Sequence, residues 1–145
     1  MRSSRVMLFV FLLAGVAVVT TSCNLVASSH IDANVPKGND FDQFLKRDLE
    51  VFFTGSMGKQ VTVDCELLRK GPTQSGVAYP KYYVWVRISE GTTLLEEGAV
   101  RVAAVDKTHF DVTNYLSKND IEHDPESIYY VFPAAVCDKI REKLK

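Results

Sequence analysis

The sequence predicts an α+β fold: an N-terminal helix, a four-stranded antiparallel meander and a C-terminal helix. Three observations carry this expectation. Phenylalanine and leucine recur at helical spacing between residues 40 and 57, four runs rich in β-branched and aromatic residues follow with short polar links, and the chain ends on a helical apolar stripe. With 145 residues the chain has the length of one domain, and its apolar fraction of 46% against 24% charged supports a packed core.

The first element is an export signal. Met1-Arg2-Ser3-Ser4-Arg5 forms a cationic head, and Val6 to Val19 carry no charged side chain. As a helix this run spans roughly 21 Å, short of the roughly 30 Å hydrocarbon core that a permanent span must cross, so cleavage is expected. Val18-Val19-Thr20-Thr21-Ser22-Cys23 resembles the lipobox of bacterial lipoproteins, with Thr21 and Ser22 as its small residues and Thr20 where leucine is usual. The resemblance implies a signal peptide over 1–22, a diacylglycerol on Cys23 and an acylated new N-terminus that holds the protein on a lipid bilayer. Asn24 after the cysteine, in place of Asp, implies sorting to the outer membrane, facing the periplasm, in an envelope of Gram-negative type. Plain signal cleavage near Ala27-Ser28-Ser29 is the alternative.

Residues 23–39 then read as a lipidated tether, rich in Ser, Asn, Asp, Pro and Gly without periodicity. The single α+β domain spans 40–145. Asp40 and Gln43 have capping-box spacing, Phe41, Phe44, Leu45, Leu49, Phe52 and Phe53 form the helix stripe, and Gly55 and Gly58 end it. Gln60 to Leu68 alternates, with Val61, Val63, Cys65 and Leu67 opposite Thr62, Asp64 and Glu66. Tyr82 to Ile88 places Tyr82, Val84, Val86 and Ile88 opposite Tyr83, Trp85 and Arg87. Leu94 to Val105 is a long third strand with Gly98 as an expected bulge or bend, and His109 to Leu116 is the fourth. Asp124-Pro125-Glu126 opens a short turn, and Pro133 starts a helix on which Val136, Cys137, Ile140 and Leu144 share one stripe. By analogy the layout is similar to the cystatin-like and NTF2-like folds, cone-shaped sheets wrapped on a helix.

Three cysteines are an odd number for an exported chain. Lipid on Cys23 leaves Cys65 and Cys137, and an oxidising compartment favours their disulfide, which would close a loop of about 70 residues and contribute roughly 4 kcal/mol in the chain-entropy account.

Charge narrows the partners. The chain carries 17 basic and 18 acidic residues, so losing Arg2 and Arg5 leaves 15 against 18, a net charge of −3. Such a surface lacks the basic stripe that nucleic acid requires. The runs Arg69-Lys70 and Lys139, Arg141, Lys143, Lys145 read as solvated charge.

Chemical motifs are sparse. The sequence has no G-x-S-x-G elbow, phosphate loop, H-E-x-x-H helix or C-x-x-C pair, and no cofactor or metal site is expected. His109 and Asp111 share a strand face, and with His123-Asp124 they are the candidates for a hydrolase or metal site. Alternating polar residues are also what any wet strand face displays. Tyr79, Tyr83, Trp85 and Tyr115 form a possible binding surface for a protein or glycan of the envelope, if the second and fourth strands present them together; Trp85 as ordinary core is the competing reading. Ser75-Gly76-Val77-Ala78-Tyr79 is similar to the S-G-x-x-Y loop of bacterial c-type lysozyme inhibitors, which implies an inhibitory loop carried by Ser75 and Tyr79 on a small β-barrel. The expectation is a non-catalytic, membrane-anchored envelope lipoprotein; a periplasmic enzyme inhibitor and a small hydrolase are the alternatives.

Overall fold

The computed structural model describes residues 34–74 and 78–145. The expected signal, Cys23, most of the tether and Ser75 lie outside the described residues. Helix α1 (Asn39–Met57) buries Leu45, Leu49 and Phe53, and Gly58 ends it in the left-handed region at φ 67°. Its start differs from the Asp40 cap expected. Gly38 takes the N-cap at φ 56° without a side-chain bond, and Asp40 lies in the first turn, where its charge faces the positive helix end. The packed region also begins before residue 40, since Pro36 is buried and Val35 packs on the core.

Strands β1 (Thr62–Leu67), β2 (Lys81–Glu90), β3 (Thr93–Asp106) and β4 (His109–Ser117) form one antiparallel sheet whose spatial order is the chain order. The expected meander is present. The ladder passes unbroken through Gly98, which pairs with Val86 and Ser117, while register shifts occur at Ile88/Ser89, Arg101/Val102 and Ala104/Asp106. Glycine is needed at 98 for space. A Cβ there would lie 2.4 Å from the Leu116 carbonyl oxygen and 2.7 Å from the Tyr115 ring.

Three helices follow: α2 (Lys118–His123), α3 (Ser127–Val131) and α4 (Ala134–Lys143). Helix α2 is not among the sequence expectations, though its signal is there. Ser117 and Asp120 form a reciprocal capping box, in which Ser117 Oγ accepts from the Asp120 amide at 3.0 Å and Asp120 Oδ2 from the Ser117 amide at 3.3 Å.

Strand alternation sends side chains to two faces, and helices cover both. On the first, Leu45, Leu49 and Phe53 of α1 pack with Val63, Tyr82, Val84, Val86, Val100, Val102 and Phe110. On the second, Tyr83, Trp85 and Ala99 pack with Ile121, Ile128, Phe132, Val136, Cys137 and Ile140. Burying each of these large side chains contributes roughly 1.5–3 kcal/mol before the entropy of ordering. The analogy to a sheet wrapped on one helix accounts for the α1 face alone.

The two cores correct the disulfide expectation. Cys65 and Cys137 are both free. Cys65 packs against the α1 core and Cys137 is buried in the other, so the sheet separates two side chains that a bridge needs pointing at each other. The Cys137 thiol has a different role. It donates to the Phe132 carbonyl at 3.4 Å and the Ile128 carbonyl at 3.6 Å, satisfying backbone acceptors between α3 and α4.

Candidate functional site

The second face is not fully covered. Near the β2–β3 turn a cleft of about 430 Å³ remains, lined by Asp64, Cys65, Glu66, Trp85, Arg87, Glu97 and Lys143. The ladder explains its composition. One cross-strand row places Glu66 beside Trp85 beside Ala99, and the next places Asp64 beside Arg87 beside Glu97, an acid–base–acid sequence across three strands. Arg87 Nε lies 3.1 Å from Glu97 Oε1, Lys118 Nζ lies 3.8 Å from Glu97 Oε2, and Lys143 Nζ lies 2.5 Å from Glu66 Oε2. Ion pairs this exposed are worth about 0–1 kcal/mol, so a charged ligand can exchange with them at small cost. A second groove of about 390 Å³ shares Glu66 and Lys143 and continues past Leu67, Leu68, Arg69, Lys70, Lys139 and Glu142. The two clefts therefore adjoin along β1.

The aromatic residues do not gather as one surface. Tyr83 and Trp85 are 4% and 5% exposed in the second core, so Trp85 is a core residue of which only a small part reaches the cleft. Tyr115 stands on the α1 face, its ring 4.9 Å from that of Phe53, and Tyr79 is exposed in the loop before β2. Of the four, only Trp85 lines the cleft, as part of its floor. The Tyr115 hydroxyl is buried without a hydrogen-bond partner. Burial first, and then the Glu96 carboxylate, which lies close by outside hydrogen-bond geometry, raise its pKa far above the usual tyrosine value.

His109 and Asp111 do meet, with Nε2 2.7 Å from Oδ1. His123 and Asp124 do not join them. They follow the far end of β4, a strand length of roughly 27 Å from His109 at about 3.4 Å per residue. The other ring nitrogen of His109 instead lies 3.3 Å from Oδ2 of Asp48, a helix residue only 8% exposed that sequence reasoning missed. Asp48 also accepts from the Phe110 amide at 2.8 Å and from Arg47 Nε at 2.8 Å, and Arg47 donates to the Thr108 carbonyl at 2.6 Å. The cluster ties the β3–β4 hairpin to α1. Its signal was an aspartate placed among Leu45, Leu49 and Phe52 on the apolar side of the helix.

Arg101 is a second residue the sequence did not single out. It donates to Thr113 Oγ1 at 3.0 Å, to the Val131 carbonyl at 3.2 Å and to Asn114, joining two strands to α3. Burial raises the pKa of both described thiols, which leaves them poor nucleophiles. Among the described residues no group of three or more His, Cys, Asp or Glu side chains is placed to hold a metal, and no helix is long and apolar enough to cross a membrane. In comparisons with known proteins, the chain matches no family model, no curated protein and no solved structure.

Proposed function

We propose that this protein is a lipid-anchored lipoprotein of the bacterial envelope, held by Cys23 and facing the periplasm from the outer membrane, whose domain binds another envelope component without catalysis. The observation that carries the reading is the cleft over Trp85. Its walls are exchangeable ion pairs around an aromatic floor, a combination suited to polar recognition by a side chain that brings its own charge. The Asp48–His109–Asp111 cluster is better explained as a clamp between helix and hairpin than as an acid–base pair, because both ring nitrogens already face carboxylates. The net charge of −3 expected after signal removal directs the reading toward protein or glycan.

One experiment addresses both halves. A photo-crosslinker placed at Glu66, with one at exposed Lys107 as control, is activated in intact cells expressing the full chain or Cys23→Ala. The expected result is a discrete adduct from position 66 alone, lost when Cys23→Ala releases the domain from the membrane fraction. Equal labelling from both positions, or unchanged membrane association of Cys23→Ala, would overturn it.

A further inference from the structure

The β1 edge of the sheet is protected unequally along its length, and the difference follows from the side chains of α1. At β1 the Thr54 hydroxyl accepts from the Val61 amide at 3.4 Å, and Glu50 Oε1 accepts from the Val63 amide at 3.2 Å. Steps of four along the helix, about 6 Å, keep pace with steps of two along the strand, about 6.8 Å. Continuing the row brings Lys46 to the level of Cys65 and Asp42 toward Leu67, and both charges act on the Cys65 thiol. Lysine cannot accept an N–H and no bond joins the Leu67 amide to Asp42, so the protection stops at Cys65.

The outward groups there are fixed by the ladder. Leu68 donates to the Tyr83 carbonyl at 2.9 Å, so even-numbered residues of β1 bond inward to β2, while Val63, Cys65 and Leu67 direct N–H and C=O away from the sheet. Among the described residues no side chain or backbone group bonds the outward N–H or C=O of Cys65 or Leu67. An edge of this kind is a template for another strand.

Charge selects the strand. On the cleft side Asp64 and Glu66 flank the open edge, and Glu66 sits beside Trp85; on the other side the neighbours are Cys65 and Leu67. A second copy of this chain pairing antiparallel through the same edge would set Glu66 against Glu66 or Asp64 against Glu66, which is repulsive. Resting on the reading of this protein as a binding module, we infer that β1 captures an extended polypeptide of the partner by strand addition, with basic side chains alternating with apolar ones. The basic residues face Asp64 and Glu66, where one displaces Lys143 and reaches the Trp85 ring. The apolar residues lie on Cys65 and Leu67.

The test uses an acetylated peptide of alternating lysine and valine, with the full chain in detergent, followed by amide exchange and Trp85 fluorescence. Exchange of the Cys65 and Leu67 amides should slow more than about tenfold while inward amides are unchanged. Leu67→Pro, which removes an outward donor outside the ladder, should abolish binding, and Glu66→Lys should weaken it more than about tenfold while improving capture of a glutamate–valine peptide over that by the unaltered chain. Lys143→Ala should tighten binding by freeing Glu66. Alternate N-methylation of the peptide backbone should abolish binding without altering the protein. Equal affinity for a peptide with its lysines and valines in separate blocks, retained affinity for the N-methylated peptide, or no protection at millimolar peptide would overturn the inference. So would a dimer that protects the same two amides. A crosslinked partner at position 66 that survives Leu67→Pro leaves the binding-module reading standing and removes strand addition alone.

Discussion

The same four strands are closed in two different ways. On one face a single helix of 19 residues lays a continuous stripe from Leu45 to Phe53 over the sheet. On the other, helices of 6, 5 and 10 residues share the work, and the strip from Asp64 to Glu97 is left open. A long helix covers a sheet by its own periodicity, whereas short helices depend on caps and bridging side chains, here Ser117, Arg101 and the Cys137 thiol. The concave site lies where the cover is made of pieces.

Truncating one large side chain on each face probes that difference most strongly. Phe53→Ala, in the closed core between Phe52 and Tyr115, should cost about 4 kcal/mol in urea denaturation, and Trp85→Ala about 3 kcal/mol because water can enter from the cleft. A greater loss at 85 would break the distinction between closed and open faces. Gly98→Ala should cost about 2–3 kcal/mol, since the added methyl meets the backbone of Leu116 and Ser117, which cannot step aside as a flexible side chain would. Asp48→Asn should cost about 1–2 kcal/mol and speed exchange of the Phe110 amide, because the clamp loses its charge while keeping its shape.

A pH scan separates the faces more finely. The folded pKa of Tyr115 is raised, so its contribution is complete below the unfolded tyrosine value of about 10 and is lost as pH rises toward the folded value. Melting temperature should therefore fall above that point, and Tyr115→Phe should remove this part of the fall while leaving neutral-pH stability unchanged or higher, since it deletes a buried unpartnered hydroxyl. The smallest effect belongs to the cleft rim. Lys143→Ala should change stability by less than about 0.5 kcal/mol, so any effect on ligand capture is readable without a folding correction.

Much of the architecture was legible because it is local. Alternation in Val61–Leu67 and the aromatic–aliphatic run Tyr82–Ile88 located β1 and β2, and the Asp106–Thr108 link located the β3–β4 hairpin. The spacing also puts both cysteines on apolar stripes, as found. The error was to treat two apolar stripes as one core, and the same error let Tyr83 and Trp85 read as a possible surface, because a strand buried on both faces and a strand with one aromatic wet face can share a sequence. Helix α2 was missed because six residues are too few to show a period. The cleft was illegible for a different reason: it brings Asp64, Trp85, Glu97 and Lys143 together, and no short window of sequence contains them.

The layering also sets an order of events during synthesis. A chain made from its N-terminus presents the residues of α1 and the meander before Val136, Cys137 and Ile140 are available. Without those residues Tyr83, Trp85 and Ala99 would be a naked greasy slab, the kind of surface that holdase chaperones and proteases engage. The final ten-residue helix acts as the latch, so a premature stop after β4 should produce a sticky, rapidly degraded fragment in place of a smaller working domain.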